Sequence, residues 1–147
     1  MSGLARLAVV LGVVASAVQA GPAPATTSLQ GTYRVTLAKG DLAGAAAVGL
    51  LADNDLGSWT LTIGHGRWTL RQSGGIYGNT LDKGTFTARG RTLAFILASG
   101  YGYHHRQFLG SARWKTVQSG SLRFTPVGPP QVDVLYVLSV KPWRRVS

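Results

Sequence analysis

The chain has 147 residues, no cysteine, and 15 Lys and Arg against 5 acidic residues, for a formal net charge of +10. This length allows one domain with a real core but not two, and the lack of cysteine excludes thiol catalysis, thiolate metal sites and disulfides. The acids are all Asp, and the basic excess favours anionic surfaces such as cell-wall polymers or lipid head groups, with nucleic acid not expected as a partner.

Residues Met1–Ala20 read as a secretory signal peptide. Arg6 gives a short basic start, Leu7–Val18 is apolar or small throughout, and Val18-Gln19-Ala20 supplies small residues at the −3 and −1 positions before Gly21. The apolar run is short for a bilayer span, so the expectation is a secreted, extracytoplasmic protein with no transmembrane segment after cleavage. A retained N-terminal anchor is the alternative. Gly21–Ser28 (GPAPATTS) is a Pro/Ala/Thr linker without apolar periodicity. A single domain is expected over residues 29–147.

Within that domain, Thr32–Leu37 alternates, with Tyr33, Val35 and Leu37 on one face. Asp41 is a plausible N-cap for Leu42–Ala52, the only stretch of helical character. Next comes GSWTLTIGHGRWTLRQ, Gly57–Gln72. Trp59, Leu61, Ile63, Trp68 and Leu70 share one face of two runs joined across Gly64-His65-Gly66, which is a β-hairpin pattern. Ser73–Lys83 reads as a Gly-rich loop. Thr85–Ala88 and Thr92–Leu97 form a second hairpin with Phe86, Leu93, Phe95 and Leu97 inward. After a loop over Ala98–Leu109, Ala112–Val117 and Leu122–Pro126 form a third, with Trp114, Leu122 and Phe124 inward. Val132–Val140 is expected as a last strand, and Lys141-Pro142-Trp143-Arg144-Arg145 closes the pattern. Eight sequential strands and one short helix without a βαβ rhythm indicate an all-β, antiparallel up-and-down barrel. A β-sandwich is the alternative.

Four segments repeat a glycine followed by an inward aromatic: Gly31-Thr-Tyr33, Gly57-Ser-Trp59, Gly84-Thr-Phe86 and Gly110-Ser-Ala-Arg-Trp114. Gly57-Ser58-Trp59 is similar to the Gly-x-Trp signature of lipocalins and related calycin barrels, although here it follows an earlier strand. Together, GTYRVTL, GSWTLTI, GRWTLRQ, GTFTARGRTLAF, WKTVQSGSLRFTPV and KPWRRV resemble a small secreted bacterial lipocalin-like module. That module is found alone or attached to extracytoplasmic solute-binding proteins. The resemblance implies a barrel and export, and carries no assigned activity.

The inner aromatics Tyr33, Trp59, Trp68, Phe86, Phe95, Trp114, Phe124 and Tyr136 could line a pocket for a small hydrophobic or amphipathic ligand, with Tyr101, Tyr103, His104 and His105 at the mouth. Equally, the rings could simply fill the core. Trp59 reads as structural, covered by Arg144 or Arg145 through a cation–π contact, with Trp143 plugging the same end. No cofactor is expected. Haem or a metal on His104 or His105 would be the exception, and adjacent histidines on an extended segment point apart, so a metal needs another ligand. His65 could supply it only from the same end of the barrel. No convincing catalytic set is present: the Asp residues are scattered and there is no Gly-x-Ser-x-Gly elbow. The expectation is a non-catalytic binding module for an apolar ligand. The alternative is a cell-envelope module whose barrel is filled and whose outward cations, Arg34, Arg67, Arg71, Arg113, Lys115 and Arg123, meet an anionic polymer or a partner protein.

Overall fold

The alternation of the central hairpin is realised residue for residue. In a computed structural model describing residues 29–43, 55–75, 79–100, 105–128 and 133–147, Gly57–Gly64 (β2) pairs with Arg67–Ser73 (β3), and Trp59, Leu61, Ile63, Trp68 and Leu70 are all buried. His65 and Gly66 join the strands, both with positive φ, as a type I′ turn requires. The signal-peptide and linker expectations lie outside the described residues.

Around this hairpin runs a single sheet. Gly31–Leu37 (β1) pairs with β2 on one side, while Leu81–Arg89 (β4), Thr92–Ser99 (β5), Gln107–Thr116 (β6) and Leu122–Val127 (β7) follow in sequence on the other. Arg144–Arg145 (β8) returns to pair with β1, giving the order β7-β6-β5-β4-β3-β2-β1-β8. The sheet is antiparallel throughout and curls into a nearly closed barrel, not a sandwich. Both long loops are shorter than their composition suggests: Leu81–Lys83 belongs to β4, Ala98 and Ser99 to β5, and Gln107–Leu109 to β6.

Two glycines make room for core groups, Gly84 for an indole and Gly110 for a leucine. Gly84 lies opposite Trp68 and Leu97, and a Cβ there would collide with the Ile96 carbonyl and come within 2.9 Å of the Trp68 indole nitrogen. Gly110, at φ 122° beside a register shift in β6, faces Leu135, whose Cδ1 would lie 2.5 Å from an added Cβ. Any side chain at either position would displace a core group.

Two expectations are corrected here. Val132–Val140 is not a strand: Asp133–Ser139 forms an α-helix, α1, packed against β6 and β7. Val134, Leu135, Val137 and Leu138 are buried at helical spacing, whereas strand alternation would have buried 134, 136 and 138. A seven-residue helix is marginal alone; burying these four side chains, at roughly 1.5–3 kcal/mol each, is what holds it. Tyr136 is therefore half-buried on the outer side of α1 beside Arg123 and Pro126, not in the barrel interior. The eighth strand comes from the closing Arg144–Arg145 instead. Near the other end, Asp41 lies inside a 3₁₀ turn, Lys39–Leu42, and its carboxylate accepts the Ala38 N–H at 2.7 Å instead of capping a helix from outside. Residues 44–52 of the expected helix lie outside the described residues.

Residues 143–147 close the barrel. Trp143 exchanges both backbone hydrogen bonds with Leu122 of β7, at 2.7 and 2.8 Å. Beyond it, Arg144 and Arg145 pair with Arg34 and Tyr33, and Thr32 bonds to Ser147 and Val146. The fully buried Trp143 indole donates to the Leu138 carbonyl at 2.9 Å, tying strap to helix. We expect Trp143→Ala to cost about 3–5 kcal/mol of unfolding free energy through the cavity and the broken seam. Trp143→Phe, which keeps most of the volume and loses one hydrogen bond, should cost roughly 1–2 kcal/mol in the same denaturant titration.

Candidate functional site

The inward rings pack on one another. Phe95, fully buried, meets Trp68 edge-on at 6.0 Å, Phe124 edge-on at 6.3 Å and Phe86 at 6.5 Å between centroids. These are favourable aromatic geometries. Tyr33 donates its hydroxyl to the Leu29 carbonyl at 2.9 Å, and burial raises its phenol above the ordinary value, partly offset by Arg145. The Trp59 indole donates to the Asp55 carbonyl and the Trp68 indole to that of Thr85. The expected cation–π cover over Trp59 is found elsewhere: Arg145 lies over Tyr33, 5.9 Å from its centroid, and Arg91 lies over Trp114 at 5.6 Å. Trp114 differs from the other three tryptophans, because its buried indole nitrogen has no hydrogen-bond partner among the described residues.

Sequence reasoning overlooked two polar residues on the inner faces of strands, Gln72 on β3 and Asp82 on β4. Gln72 is buried at the end of β3, donating to the Leu56 carbonyl at 3.0 Å and accepting from Thr80 at 3.3 Å. It ties the start of β2 to the segment entering β4, and its place at the end of an alternating run was the available signal.

The expected mouth is only partly within view, since Tyr101, Tyr103 and His104 lie outside the described residues. His105 is exposed just ahead of β6. Connections of a sequential antiparallel barrel alternate between its ends, so the β2–β3 turn carrying His65 lies at the opposite end from the β5–β6 connection carrying His105. The two cannot share an ion. No group of three His, Asp or Glu side chains able to hold a metal occurs among the described residues. Asp82, expected in a loop, is buried on β4 against Gly100, and Asp133 starts α1 instead of lying in a strand.

The exterior presents the alternate set. Arg34, Arg67, Arg71, Arg113 and Lys115 are exposed and Arg123 is half-exposed, as the period-two pattern requires. The pairing register arranges them in rows: Arg144, Arg34, Thr60 and Arg71 lie side by side across β8, β1, β2 and β3, and Arg89, Thr92, Arg113 and Thr125 across β4 to β7. Two like-charged pairs stand directly opposite one another, Arg34 with Arg144 and Lys115 with Arg123. Beside the first lies a cleft of about 480 Å³ lined by Arg34, Thr36, Ser58, Lys141, Pro142 and Arg144. The Thr36 and Ser58 hydroxyls meet at 3.3 Å. Sequence reasoning missed this cleft because Arg144 and Lys141 join it only through the β8–β1 register.

Lys141 also anchors the strap, its ammonium donating to Asp41 at 2.6 Å across 100 residues of chain. That bond, aided by the Ala38 N–H, holds the Asp41 carboxyl below its ordinary value. A carboxyl lowered in the folded state adds stability that is present above its unfolded value and lost as the pH falls through the folded one. Thermal midpoints should therefore fall on acidification below about pH 4, and Asp41→Asn should flatten part of that slope while leaving the neutral-pH fold intact. No protein-family model, curated protein sequence or solved structure matches the chain.

Proposed function

We propose that this protein is a non-catalytic cell-envelope module that works through the outside of its barrel, holding an anionic polymer against its basic face. The observation that carries this reading is the contrast between the two faces. Inside, Trp68, Phe86, Phe95 and Phe124 spend their surface on each other. Outside, the register sets arginines and threonines in rows across adjacent strands, and the Asp41–Lys141 ion pair neutralises little of that charge. Rows of cations on a stiff sheet suit a repeating anion better than a point ligand. A lipocalin-like secreted module, the family its motifs resemble, is compatible with this use, since a barrel does not dictate an interior ligand. No described helix is long and apolar enough to cross a membrane.

Binding to a soluble polyanion such as polyglutamate or poly(glycerol phosphate) should weaken about tenfold or more between about 0.05 and 0.3 M salt. Replacing Arg67, Arg71 and Arg113 together by Gln should weaken it further at the lower salt without lowering the thermal midpoint. Salt-independent binding, or none, would refute the reading.

One observation favours a second reading, an interior apolar ligand with a polar end. The unpartnered Trp114 indole is a buried donor that such a group would satisfy. Native mass spectrometry of the protein taken from its own compartment without detergent would then give a mass above the apoprotein. The extra mass should be lost on denaturation and reduced in Trp114→Phe.

A further inference from the structure

We infer that the cleft beside the β8–β1 seam is a phosphoryl-binding site, with Arg34 and Arg144 as its paired ligands and Lys141, Thr36 and Ser58 completing it. This rests on the exterior-binding reading and names the group recognised. The first reason is the placement of charge. Arg34 and Arg144 are direct cross-strand partners, an arrangement that is unfavourable unless something negative lies between them. It occurs where the sheet can least bear it, because β8 has only two residues and holds the barrel shut. Among the described residues, neither guanidinium is in an ion pair. The carboxylate close by, Asp41, is already engaged by Lys141.

The second reason is geometry. A carboxylate has two oxygens, which one guanidinium fork can satisfy. Two guanidinium forks from neighbouring strands and two hydroxyls line one cleft, beside an ammonium that keeps two donors beyond the one given to Asp41, and together they offer more donors than a carboxylate can use. A tetrahedral phosphoryl group, with three or four oxygens and up to two charges, matches that set. The cleft is open on one side, so the group can be free phosphate or a phosphodiester within a polymer chain.

The experiment compares wild type, the double variant R34Q/R144Q and the charge-matched control K83Q/R106Q, whose exposed cations lie outside the cleft and should leave phosphate binding unchanged, at matched ionic strength, following backbone amides by NMR and unfolding by heat. Inorganic phosphate should shift the amides of Thr36, Ser58, Arg34 and Arg144 in the wild type and raise its thermal midpoint, as any ligand of the folded state does. Chloride at the same ionic strength should do neither. R34Q/R144Q should bind phosphate at least tenfold more weakly, and without phosphate should unfold no lower than wild type, because a repulsive pair has been removed. Should that variant fold poorly, Thr36→Val, which spares both guanidiniums, must still weaken phosphate binding several-fold. Poly(glycerol phosphate) should bind wild type at least tenfold more tightly than polyglutamate of similar charge density. Phosphate binding at the cleft without polymer binding would keep the site and assign it to the free anion. Measurable polymer binding that is equal in wild type and R34Q/R144Q, or measurable binding of equal affinity for the two polymers, would overturn the cleft assignment while leaving the exterior reading standing. Failure of the wild type to bind any polyanion or phosphate would end both.

Discussion

The fold depends on a seam that ordinary strand pairing does not provide. Seven strands pair with their sequence neighbours, and such a sheet would expose an edge at β1 and another at β7. Residues 143–147 join those edges, bonding to Leu122 on one side and to Thr32, Tyr33 and Arg34 on the other. The backbone contribution is small, so the seam relies on what backs it. Trp143 is fully buried, its indole is fixed to Leu138, and α1 fills the space behind with four apolar side chains. Closure is therefore a matter of packing more than of pairing.

Where one face of a strand is buried, its sequence discloses the fact, and that accounts for how much of this molecule could be read in advance. Tyr33, Trp59, Trp68, Phe86, Phe95, Trp114 and Phe124 all lie inside because an alternating strand has no other consistent register. The apolar run after Pro130 misleads for the complementary reason. Its residues are hydrophobic on more than one side, and a short run of that kind fits a buried strand or a buried helix equally well. Only the barrel's need for a plug beside β7, and the space left by Gly110, decide for the helix. The candidate site was still less legible. Arg34 can be placed outside from sequence, but for Arg144 the sequence suggests, as an alternative to Arg145, only a cover over Trp59. Nothing local reveals that Arg144 stands opposite Arg34 from more than a hundred residues away.

The two faces of the sheet divide the work. The inner face is specified by shape: rings at about 6 Å, glycines where an indole and a leucine need room, and indoles tied to carbonyls at Asp55, Thr85 and Leu138. The outer face is specified by charge, and its rows keep their spacing because the inner face is rigid. Long flexible cations on a loose scaffold would lose more side-chain freedom on meeting a partner. On a packed barrel their stems start from fixed positions. Under the exterior-binding reading proposed above, rigidity inside favours recognition outside.

The hydrogen bond from Arg145 to the Gln30 carbonyl spans 115 residues, and the Asp41–Lys141 pair spans 100. A chain emerging in order, from a ribosome or through a membrane pore, can form its hairpins as they appear, but it stays an unlatched ribbon until residues 141–147 arrive. Until then both terminal strands have free edges and the inner rings face water. Non-local closure of this kind generally slows folding and prolongs the exposure of open edges. The cations on the outer strands act at that stage too, since repulsion between like-charged ribbons opposes the pairing of their open edges.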